Sequence, residues 1–104
     1  MITEEQEFLE ELTDPIQFRI DKAIREFKKA HGHMITDVLC WRKGKIYDNE
    51  FRIDMIAKEH GPLLALSEIF ADYILRYLPD AKINTSTYVT QDKQDMVKTY
   101  SVAV

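Results

Sequence analysis

Cysteine, glycine and proline are all scarce in this chain, with one, three and three residues among 104. A single thiol, Cys40, cannot close an internal disulfide, which excludes a stapled secreted scaffold. Three glycines are too few for a phosphate-cradling loop, and Gly32, Gly44 and Gly61 each stand where a helix or turn needs punctuation. Nucleophile elbows, HExxH patterns and paired cysteines are missing as well. Nothing is repeated or of low complexity. Long apolar runs are also lacking. The longest, Leu63 to Leu78, is broken by Glu68, Asp72 and Arg76, too many charges for a membrane span. Met1-Ile2-Thr3 leads straight into Glu4, Glu5 and Glu7, without the basic start and apolar core of a secretory signal, so the cytoplasm is the expected location.

What is present fits one globular domain. Hydrophobic content of 45% and charged content of 31% argue against disorder. A chain of this length buries roughly two-thirds of the surface it exposes when unfolded, enough for a modest core. The net charge of −4 is unevenly spread. Glu4, Glu5, Glu7, Glu10, Glu11 and Asp14 form an acidic N-terminal arm with no base among them. Residues 15–45 carry an excess of bases, from Arg19 through Lys45. Such asymmetry steers partners and says nothing about fold.

Periodicity predicts an α+β fold. Phe8, Leu9 and Leu12 suggest a short helix over about 3–13. Asp14-Pro15-Ile16-Gln17 reads as a helix start, with Asp14 as cap, Pro15 in the first turn and Gln17 completing a capping box. Ile16, Ile20, Ala23, Ile24, Phe27 and Ala30 then form one apolar stripe over 15–31, with Gly32 as a left-handed stop. Strand formers from Met34 to Trp41, followed by a Lys43-Gly44-Lys45 turn into Ile46-Tyr47, predict a hairpin over about 34–47. Asp48 or Asn49 would cap a helix over 50–60, stopped by His60-Gly61-Pro62. A further helix over 62–78 is apolar on most sides and so must be buried on most sides. Alternating Thr, Val and Tyr residues predict a second hairpin over about 82–104. The expectation is a single domain over 1–104, its helices packed on a small antiparallel sheet and residues 1–14 forming an acidic helical arm.

Candidate chemistry is thin. His31, His33, Cys40 and His60 are the only soft metal ligands, and they lack the paired, regular spacing of a zinc site. Asp80-Ala81-Lys82 resembles the acid-x-Lys step of metal-dependent nucleases, but no second acid is placed beside it. Met55 to Gly61 resembles the first helix of a helix-turn-helix domain. The next helix, however, carries Leu63, Leu64, Leu66, Phe70 and Ile74 where a recognition helix presents polar groups, which sets that reading aside. No catalytic residue, metal or cofactor is expected.

Two binding surfaces remain. Trp41, Arg42, Lys43, Lys45 and Tyr47, with Arg52 nearby, interleave bases and rings in a way that suits phosphate contact and base stacking. Apolar residues Phe8, Leu12, Phe70, Tyr73, Tyr77, Tyr100 and Val102 exceed what a small fold needs and point to an interface, with Tyr100-Val102-Val104 as an exposed sheet edge. The expected function is therefore a small non-catalytic interaction or assembly protein. Its partner would be another protein or a second copy of itself, with nucleic acid as the alternative and no membrane involved.

Overall fold

The computed structural model describes residues 14–44 and 49–104, apart from the side chain of His60. The expected helix over 3–13 and the expected strand at Ile46-Tyr47 lie outside the described residues. Among the described residues the fold is α+β: two helices packed on a four-stranded antiparallel sheet.

Helix α1 spans Pro15–His31. Asp14 caps it, its carboxylate accepting from the Gln17 backbone N–H at 3.2 Å, and Pro15 occupies a first-turn position whose missing N–H costs nothing. The capping box does not close. The Gln17 amide instead reaches forward to Asp21 at 2.8 Å. Gly32 is right-handed (φ −59°), because the chain tightens into a 3-10 turn over Gly32–Met34 and reverses without a left-handed residue.

Strand β1 spans Asp37–Lys43 and β2 spans Glu50–Ala57. The helix expected over 50–60 is thus a strand, and it supplies the partner of β1 in the first hairpin. Phe51, Ile53, Met55 and Ala57 alternate with Glu50, Arg52 and Asp54, a period of two that a helix could not bury on one side. Gly44, at φ 65° just past β1, takes a left-handed conformation that a side chain resists. Helix α2 spans His60–Tyr77. The His60-Gly61-Pro62 segment therefore opens this helix, and Pro62 sits where first-turn N–H groups have no helical acceptor.

Strands β3 (Lys82–Val89) and β4 (Met96–Ala103) form the second hairpin. The sheet order is β1-β2-β4-β3, so the last strand lies inside the sheet, paired with β2 as well as β3. Register then sorts every side chain to one of two faces. Val38 and Cys40 of β1, Phe51, Ile53, Met55 and Ala57 of β2, and Tyr100 and Val102 of β4 share the face beneath the helices. Ile20, Ile24 and Phe27 of α1 and Leu63, Leu66, Phe70 and Ile74 of α2 close over it. Phe27, Phe70 and Tyr100 pack edge to face in sequence, with ring centroids 4.7 and 4.9 Å apart. Each of these fully buried side chains contributes about 1.5–3 kcal/mol of hydrophobic stabilisation.

Among the described residues, no helix is long and apolar enough to cross a membrane. Among the described residues, no helix lies on the opposite sheet face.

Candidate binding face

That open face is built by the other half of the alternation. Leu39, Trp41 and Lys43 of β1 lie beside Arg52, Asp54 and Ile56 of β2, followed by Val97 and Thr99 of β4 and Tyr88 of β3. All of these but Thr99, together with Thr90, surround a shallow concavity of about 590 Å³. Trp41 is 47% exposed, Tyr88 42% and Leu39 39%, large apolar surface that the described residues leave open.

Its floor is Asp54, the one buried charged residue among those described. Arg52 Nε donates to one carboxylate oxygen at 3.1 Å and an Nη atom to the other at 3.0 Å. The Thr99 hydroxyl donates to the same carboxylate at 2.9 Å. A planar guanidinium matched to a buried carboxylate by two parallel bonds loses most of its rotamer freedom. The same guanidinium donates to the Tyr88 hydroxyl at 3.3 Å and lies 5.6 Å from the centre of the Trp41 ring. Trp41, Arg52 and Tyr88 are thereby held as one ridge across three strands, with the charge of Arg52 raised in permanence by the carboxylate bonds beneath it.

The basic-aromatic segment read from the sequence is divided by the pleat. Trp41 and Arg52 meet on the open face, and Lys43 joins them at its rim, donating to Ser101 at 3.0 Å. Arg42 points to the helix side, where it pairs with Asp14 and covers the Phe51 ring at 4.5 Å. Lys45 and Tyr47 lie outside the described residues.

The apolar interface candidates divide too. Phe70, Tyr100 and Val102 are buried in the chain's own core at 0%, 0% and 2% exposure. The exposed edge expected at Tyr100-Val102-Val104 is therefore an interior strand, closed on both sides by pairing. Tyr73 and Tyr77 are half-buried; Tyr73 packs on Phe27 and under Arg76, and Tyr77 lies near Lys22. Phe8 and Leu12 fall outside the described residues.

The soft ligands are dispersed. His31 packs tilted against Phe27 and edge-on to Tyr73, His33 is exposed, and Cys40 lies half-buried on β1 with its thiol pushed up to about 11 by burial. Asp80 is exposed in the turn before β3, and Lys82 is exposed at its start. Among the described residues, no three His, Cys, Asp or Glu side chains cluster as metal ligands. Met55–Ala57 belong to β2, which removes the first helix of the helix-turn-helix comparison.

Sequence reasoning missed Leu39, Asp54, Tyr88 and Thr99. The signal was there in the alternation of 50–57, which places Arg52 and Asp54 together on the face opposite Phe51, Ile53 and Met55. No protein-family model and no curated protein sequence matches this chain.

Proposed function

We propose that the protein is a non-catalytic interaction module whose open sheet face docks a partner polypeptide, with Trp41 as the anchor. The observation that carries this reading is the exposure of Trp41, Leu39 and Tyr88 around an Arg52 already locked to Asp54. Tryptophan, tyrosine and arginine dominate interface energetics because they bring large contact area at low entropic cost. Here the ordering is done before any partner arrives. Tethering Arg52 to a buried carboxylate also cancels its charge locally, which suits contact with a neutral or mixed surface better than with a polyanion.

Nucleic acid is the second reading, and one feature favours it: two exposed rings flank a guanidinium on an antiparallel sheet, an arrangement suited to base stacking. Against it stand the overall charge of −4 and the acidic residues at the N-terminus.

Trp41→Ala decides the matter. A partner captured by the wild-type protein is purified and titrated calorimetrically against both forms. An anchor tryptophan gives a loss of about 30-fold in affinity, from a contribution of about 2 kcal/mol. Unfolding should change by less than about 0.5 kcal/mol, because the side chain lies outside the core. Equal affinity for both forms refutes the docking face. Tight, salt-sensitive binding of single-stranded oligonucleotides that is lost in Trp41→Ala would replace this reading with the second one.

A further inference from the structure

Strand β3 differs from the other three in being bare on almost every side. It sits at the sheet edge beyond β4, and among the described residues no strand pairs with its outer row of backbone N–H and C=O groups. Among the described residues, the helix-side core reaches only Ile83 of this strand. Thr85, Thr87 and Val89 face the helix side yet are exposed, as are Asn84, Ser86 and Tyr88 on the open face.

Edge strands are normally blunted by charge, proline or a bulge. From Ile83 to Val89 this one has no charge and no proline, and its pairing to β4 runs without a bulge. The opposite edge shows what protection looks like. β1 carries Asp37, Arg42 and Lys43, and two of these are tied to α1 or its cap by the Lys28–Asp37 and Arg42–Asp14 pairs.

The order of residues in β3 is complementary to its own reverse. With two copies antiparallel about Ser86, Thr85 meets Thr87 of the other copy, Ile83 meets Val89, Asn84 meets Tyr88, and Lys82 meets Thr90. β-branched residues face β-branched residues, polar faces aromatic, and the two Lys82 ammonium groups fall at opposite ends of the ladder. Paired positions also keep the same parity, so outward-pointing backbone groups and side-chain faces match at every step.

From this edge we propose that two copies of the chain join through their β3 strands into one continuous antiparallel sheet of twice four strands. The two-fold axis passes perpendicular to the sheet near Ser86, which keeps both pairs of helices on the same side. Eight residues of strand from each copy make a small interface, so association falls in the micromolar range, on the order of 10–100 μM.

Sedimentation equilibrium of the full chain from 5 μM to 1 mM, with circular dichroism as the fold control, tests this. Wild type is expected to move from monomer to dimer across that range. Ser86→Lys places two ammonium groups face to face on the axis and should weaken the dimer at least tenfold while leaving the spectrum unchanged. The doublet Thr85→Lys with Thr87→Glu restores opposite charges across the interface and should dimerise at least as well as wild type. The doublet Thr85→Lys with Thr87→Lys should be monomeric throughout. A wild-type monomer at 1 mM overturns the proposal, and so does a dimer equally stable in Ser86→Lys. Trp41→Ala leaves this edge intact, so loss of dimer in that variant assigns self-association to the open face instead.

Discussion

Replacing Tyr100 by phenylalanine removes one oxygen from the centre of the fold, and the consequence reverses sign with pH. The ring is fully buried on β4 and packs on Phe70, a contact that phenylalanine keeps. Its hydroxyl donates to the Ser67 carbonyl in α2 at 2.7 Å, and burial raises the phenol well above its ordinary value near 10. At pH 7 the substitution loses one buried hydrogen bond, about 1 kcal/mol. Above pH 10 the unfolded wild-type chain gains stability by ionising its phenol, whereas the folded chain holds the proton. By pH 11 that ionisation favours the unfolded state by about 1.4 kcal/mol, the value for a group one pH unit above its unfolded pKa. The raised group thus contributes stability below pH 10 that fades as pH climbs. The phenylalanine variant has no such loss. Urea unfolding at pH 7, 9, 10 and 11, monitored by circular dichroism, should show the wild type ahead by about 1 kcal/mol at neutral pH and level or slightly behind at pH 11. Ionisation of the four other tyrosines and the lysines is common to both proteins and cancels in the difference. Parallel stability curves across the whole range would refute the argument, because they would mean Tyr100 titrates in the folded state as it does in the unfolded.

Two further outcomes are accessible with the same protein. Burial that pushes the Cys40 thiol from 9.0 to about 11 should slow its alkylation by iodoacetamide at pH 8 about 100-fold relative to the urea-unfolded chain, since only the thiolate reacts; equal rates would show an exposed thiol. Asp14→Ala removes both the cap of α1 and the carboxylate that Arg42 pairs with, and should lower stability by about 1–2 kcal/mol, with Asp14→Asn recovering the capping part, read from urea midpoints.

Where local signals agreed with burial, the fold was legible. The Asp14-Pro15 start and its following stripe give α1 because cap chemistry and apolar spacing name the same residues. The Thr/Val/Tyr alternation gives the second hairpin for a similar reason. At 50–57 two signals competed. Asn49 can cap a helix, but here it takes φ 49° at the end of the connection into β2, a conformation asparagine tolerates better than most residues. His60-Gly61-Pro62 resembles a stop, but proline is equally at home in a first turn, and only tertiary placement tells which. Losing β2 meant losing the candidate face, since Arg52 and Asp54 share a side only in a strand. The position of β4 was illegible for a different reason: pairing order depends on which edges the helices leave open, and local sequence says nothing about that.

The placement of β4 between β2 and β3 also sets a timetable for the growing chain. Its first residue, Met96, emerges 39 residues after Ala57 ends β2. At translation speeds of 5–20 residues per second, that is a wait of roughly 2–8 seconds. Through that interval β1 and β2 can form their hairpin and both helices can coil. The inner edge of β2 still has no strand to meet, and Phe51, Ile53 and Met55 lack Tyr100 and Val102 beside them. The nascent protein therefore carries a second bare edge that the finished one does not, and it is briefly at its most adhesive just before β4 slides in and completes the sheet.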